Sequence, residues 1–185
     1  MTKKSVLVWA GLSIALMADA GTMASGPVDD VVDNHHRRGR LRADLRSYNE
    51  VPTLSTAGRG TFFGKLAADE TEIEYRLDYA GLEGTVTVSH IHLGQPHTTG
   101  GVIIWLCGPM GAAPPGTPEC GASGGAGPEA TGTLTAAGVV GPAAQGIAAG
   151  EFAELVRAIK AGATYVNVHS SLFPTGEIRG QIKFD

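Results

Sequence analysis

Beyond its first twenty residues the chain has no stretch apolar enough to cross a bilayer, which takes about 20 consecutive residues of helix. It also has no excess of positive charge, the formal net charge being −4 at pH 7. That balance excludes broad nucleic-acid binding, which needs cations to replace condensed counterions. A Gly-x-Ser-x-Gly nucleophile turn is missing. Ser170 and Ser171 follow His169, but they would need a separate base and oxyanion donors that the sequence does not place. Only two cysteines occur, Cys107 and Cys120, and helical periodicity is confined to one short segment.

What is present begins with a leader. Lys3 and Lys4 precede an apolar run from Ser5 to Met17, and small-residue cleavage signals end at Ala20 or at Ala24. Residues 1–20 therefore read as a secretory signal peptide, with cleavage as late as 24, and the run is too short for a membrane anchor. Removing them takes away Lys3, Lys4 and Asp19 and moves the charge from −4 to −5. Residues 21–39 read as a flexible arm. Its acidic Asp29, Asp30 and Asp33 precede the basic His35, His36, Arg37, Arg38 and Arg40, a solvated pattern rather than a docking patch. Export to a secreted or periplasmic location favours a Cys107–Cys120 disulfide across a Gly- and Pro-rich segment. A thiolate ligand near the histidines is the alternative. The whole insert, about 108–128, is low in complexity and is expected to be poorly ordered outside that bridge.

From residue 40 to 185 the pattern is of short strands. The clearest is Glu72 to Tyr79, where Ile73, Tyr75, Leu77 and Tyr79 alternate with charged residues, as a half-buried strand requires. Leu41–Arg46, Gly60–Leu66, Thr85–His92, Gly101–Leu106, Ala130–Leu134, Thr164–His169 and Glu177–Phe184 complete the set. Phe152, Leu155, Val156 and Ile159 recur at helical spacing, and Gly162 supplies a stop. Seven to eight strands with one short helix predict an all-β fold, an antiparallel sandwich of immunoglobulin-like or superoxide-dismutase-like type.

Several segments, taken in order, resemble the CHRD (chordin-type) domain, in the form of a single-domain secreted microbial member. They are Asn49-Glu-Val-Pro52, Leu77 to Leu82, His90-Ile-His92-Leu-Gly94, Gly100-Gly-Val102, Ala161 to His169, and Pro174 to Gln181. The resemblance covers about 40–185 and implies an exported β-rich binding or structural module without established catalytic activity. Its partner, a protein or a small ligand, is left open.

His90 and His92 are two apart on a strand, so both side chains face one way with Cα atoms about 6.6 Å apart. Imidazoles at that spacing can converge on one ion, and His169 from another strand would be a third ligand. His97, in the loop after Gly94, is a weaker candidate. Nitrogen donors suit copper or zinc rather than calcium or magnesium. The competing reading is a structural network. By parity, His90 and His92 extend the face of Val86 and Val88 and hydrogen-bond to loop carbonyls, or to Asn167 and Glu177. Glu177 and Arg179 alternate with isoleucines and read as a solvated ion-pairing face, or as groups that orient His169; Arg179 has Glu50 or Asp78 as partners. Trp105 is assigned to the core. A copper-dependent redox enzyme is the remaining reading, by analogy with the His-x-His strand of superoxide dismutase, although no zinc subloop is recognisable.

Overall fold

The computed structural model describes residues 38–124 and 129–185. The leader, nearly all of the arm, and residues 125–128 of the insert lie outside the described residues.

Alternation in the sequence becomes alternation in burial. In β1 (Arg40–Arg46), Leu41, Ala43 and Leu45 turn inward, while Arg40, Arg42, Asp44 and Arg46 are exposed. β2 (Arg59–Leu66) buries Phe62 and Leu66, and β3 (Glu72–Ala80) buries Ile73, Tyr75, Leu77 and Tyr79 as expected. β4 (Val86–Leu93), β5 (Val102–Cys107), β6 (Ala130–Thr135), β7 (Thr164–Ser170), β8 (Ile178–Gln181) and β9 (Lys183–Phe184) follow. The last predicted strand is thus two, separated at Ile182, whose N–H still bonds Thr164 O of β7 while the residues after it pair with β1.

All pairings are antiparallel, in the order β5-β4-β7-β8-β1-β2-β3-β6, with β9 added to β1. The two ends of this sheet approach each other. Ile104 bridges Val139, and Val140 N–H donates to Ile103 O at 2.9 Å. The sheet is therefore nearly closed, barrel- and sandwich-like, around a core that includes Phe62, Leu77, Ile91, Leu106, Val168 and Ile178. Near-closure protects the strand edges that would otherwise offer unpaired backbone to another chain.

The one helix, α1 (Phe152–Lys160), lays Phe152, Leu155, Val156 and Ile159 on the core. It ends at Gly162, whose φ of +67° lets its N–H reach Ile159 O while Ala163 N–H reaches Ala158 O. That pair of bonds satisfies carbonyls the helix end leaves open.

Cys107 and Cys120 form a disulfide. Closing a loop of this size stabilises by about 3 kcal/mol, chiefly by restricting the unfolded chain. The described part of the insert is more firmly attached than its composition suggests. Gly108 N–H bonds Pro118 O, Tyr79 donates its hydroxyl to Gly121 O at 2.8 Å, and Gly124 N–H bonds Tyr79 O. Backbone groups of a sequence that forms neither helix nor strand are thus satisfied by docking on β3.

Candidate metal centre

Residues directly opposite one another in an antiparallel pair point to the same side of the sheet. The register therefore sets two rows across neighbouring strands. Trp105, His90, Asn167 and Arg179 form one, from β5 through β4 and β7 to β8. His92, Tyr165 and Gln181 form the other, and His169 lies on β7 one pleat beyond Asn167. The core takes the alternate residues Ile91, Val166, Val168 and Ile178. The histidines thus stand on the side of the sheet away from the core.

This corrects the parity argument. Val86 pairs with Ser170 and Val88 with His169, so β4 carries an extra residue between them. Such a bulge reverses which face later residues take. Val88, opposite His169, does share the side of His90 and His92, but Val86 packs against the core, so the histidines do not extend its face. Trp105 is likewise not a core residue. It is half-buried, and its ring meets the His90 ring nearly edge-on with centroids 4.4 Å apart.

Loops close over this side, and His90, His92 and His169 are only 6%, 7% and 8% exposed. Two loops supply carbonyls. Gly100 O lies 2.9 Å from His92 Nδ1, and Pro174 O lies 3.0 Å from His169 Nδ1. A carbonyl only accepts, so both Nδ1 atoms carry the proton and both Nε2 atoms carry a lone pair. His90 Nδ1 lies 3.3 Å from His169 Nε2. One nitrogen from each ring falls within a set spanning at most 4.8 Å. The Nε2 atoms of His90 and His92 are buried and find no hydrogen-bond partner among the described residues.

Burial holds all three imidazoles neutral. It pushes His90 down to about 3, with His169 and His92 adding to the effect, and His92 down to about 4. His169 is lowered for the same reason, against the raising effect of its bond to Pro174 O. Neutral imidazole is the form that binds a metal.

Tyr165 fixes His92 from two directions. Its ring stacks on the imidazole, 4.9 Å between centroids and 7° from parallel, and its hydroxyl oxygen accepts from Gly100 N–H. Gly100 allows this because a Cβ there would meet Leu93 O at 1.6 Å, so any side chain would displace the loop. On its far face Tyr165 carries Arg179, whose guanidinium carbon is 3.4 Å from the ring centroid. Tyr165 was not singled out from the sequence, although it shares strand parity with Asn167 and His169, which was the available signal. The Gly100 and Pro174 carbonyls left no signal, since loop closure alone brings them there.

Glu177 and Arg179 do not form a solvated face; both are buried. Glu177 accepts from Glu83 N–H at 2.6 Å and from Gly84 N–H at 3.4 Å, tying the β3–β4 loop to the turn before β8. It bonds none of the histidines. Arg179 donates to Gln95 O and feels the charge of Glu50, while Asp78 pairs with Arg76 instead. The Asn167 side chain acts on the Glu50 carboxyl, which it helps to hold ionised, and bonds no histidine. His97 is exposed on its loop, with φ of +64°, and stays apart from the three converging rings.

Burial raises the Glu50 carboxyl from 4.5 to about 7, against the lowering pull of Arg179. An acid raised in the folded state contributes stability that is full below its unfolded value and is lost as pH rises to the folded one. Glu50→Gln mimics the protonated form. Its stability relative to the parent should rise by ~1–3 kcal/mol between pH 4 and pH 8, read from urea unfolding curves. Parallel pH profiles for the two proteins would refute this.

A family model described as the CHRD domain matches residues 41–182. No curated protein and no solved structure matches the chain. The matched span runs from β1 to the residue between β8 and β9, and so contains all three histidines, Glu50, Tyr165 and Arg179. The chain belongs to the CHRD domain family, whose members are typically extracellular binding or structural modules.

Proposed function

We propose that this protein is an exported CHRD module that holds one copper or zinc ion between His90, His92 and His169. Its role is binding rather than catalytic turnover. The observation that carries the reading is the convergence of three neutral imidazoles, two of them with Nδ1 tied to a backbone carbonyl and Nε2 left to ligate. Metal-bound histidines usually have their other ring nitrogen anchored in this way. The His90–His169 nitrogen separation of 3.3 Å also suits two ligands at ~2 Å from one ion near the tetrahedral angle. Export rests on the leader-like residues 1–20 and the disulfide.

The competing reading has the histidines bonding only to one another and to their loops. It accounts for the His90–His169 contact but leaves His92 Nε2 buried without a partner. An unsatisfied buried polar atom costs about 1–3 kcal/mol, which an ion at that position would remove. A copper redox enzyme would additionally need a substrate-accessible coordination position, and rings exposed by 8% or less do not favour one.

Elemental analysis decides between them. After export into the periplasm, purification and dialysis, the protein should carry one equivalent of copper or zinc per chain, and His92→Ala should carry less than a tenth of that. A parent protein that stays metal-free even after exposure to excess Cu and Zn would overturn the reading.

A further inference from the structure

We infer that the three-histidine site selects a monovalent ion, Cu(I), over Zn(II) and Cu(II). The inference rests on the metal-binding reading above and concerns which ion the site prefers.

Charge at the site disfavours a divalent ion. The three donors are neutral, and none of the ion pairs among the described residues involves a histidine. The ring nitrogens bond two carbonyl oxygens and each other, with no carboxylate in the set. The formal charge stacked against the site is positive, because Arg179 lies on Tyr165 and Tyr165 lies on His92. Glu50, the carboxyl that faces Arg179, is engaged with Asn167 and bonds none of the three rings. A bound ion therefore brings its charge into a buried pocket where, among the described residues, no carboxylate contacts the three donors. The charging cost rises with the square of the charge, so a divalent ion costs fourfold what a monovalent one of equal radius does. Repulsion by Arg179 doubles as well.

Coordination number favours the same ion. Zinc in protein sites is normally four-coordinate, with water or another group completing the shell, and Cu(II) favours four donors near a plane. Three imidazoles from two adjacent strands supply a three-donor set. On the β5 side His90 meets the apolar Trp105 ring, and on the β7 side its neighbour Asn167 leaves only a neutral amide oxygen without a partner. A trigonal monovalent ion needs neither a compensating hydroxide nor space for one.

The test is a pair of competition titrations on the full chain with its disulfide intact. Cu(I), kept reduced by ascorbate without oxygen, is titrated against bicinchoninate, and Zn(II) and Cu(II) are each titrated against a chelator of known affinity. Cu(I) should bind one per chain and more tightly than either divalent ion by roughly 10³-fold or more. Arg179→Met, which removes the repelling cation, should narrow that ratio at least several-fold by improving Zn(II) binding. Zn(II) or Cu(II) binding as tightly as Cu(I) overturns the inference and leaves the metal-binding reading standing, with Asn167 Oδ1 or water as a completing ligand. No binding of any of the three ions overturns both. Cu(I) retained by His90→Ala/His92→Ala would place the ion elsewhere and overturn the site assignment.

Discussion

Metal should raise the thermal midpoint of the parent protein by roughly 10–15 °C, and the His90→Ala/His92→Ala double variant should show no such rise. The size follows from linkage. A ligand that binds only the folded state stabilises it by about 4 kcal/mol at a free concentration a thousand times its dissociation constant. His90 and His92 come from one strand and His169 from another, 77 residues later, so the unfolded chain cannot assemble the set and binds the ion far more weakly. Without metal the double variant should also differ little from the parent. Removing two imidazoles loses packing, but it also removes two buried Nε2 atoms that find no partner. Calorimetric melts of both proteins, with and without added metal under non-oxidising conditions, give all four numbers. A parent midpoint that does not move with metal sinks the prediction, as does a double variant that responds equally.

The second large effect belongs to Arg179. Arg179→Met should cost about 3 kcal/mol at pH 8, because removing one member of a buried, interacting pair leaves the other charge uncompensated. Glu50 is that other charge, and it has a way out. Its carboxyl already sits near 7, and with the guanidinium gone it moves higher still and takes up a proton. The penalty should therefore shrink to about 1–2 kcal/mol below pH 5, where what remains is the lost stack on Tyr165 and the bond to Gln95 O. Adding Glu50→Gln to Arg179→Met should remove most of the pH dependence. Urea unfolding at the two pH values, for both single variants and the double, measures the coupling directly. A cost independent of pH would mean that Arg179 acts through packing alone.

Much of the fold was legible because its signals are local. The period of two in Glu72–Tyr79 and Leu41–Arg46, and the three- and four-residue spacing in Phe152–Ile159, each report a face that must be buried. The pairing of Cys107 with Cys120 followed from composition and compartment. The convergence of His90, His92 and His169 was also anticipated, since the resemblance puts the two segments in one domain. The misjudged residues share one cause. Trp105, Glu177 and Arg179 were read from hydropathy and parity, as if one side of the sheet were core and the other water. Here both sides of β7 are buried, all seven of its residues included. One side meets the core and the other is covered by loops. A polar residue under a loop looks, in sequence, the same as one in solvent.

The sequence by itself determined the elements, the stop at Gly162, the bridge and the family, because each depends on residues near one another or on an ordered set of short motifs. Only the tertiary structure decided on which side of the sheet the histidines stand and what holds them. A bulge between Val86 and Val88 reverses the facing of β4, and two loop carbonyls fix the protons on His92 and His169. One extra residue in a ladder changes the facing of every side chain after it, and no count along a single strand reveals it without the partner strand.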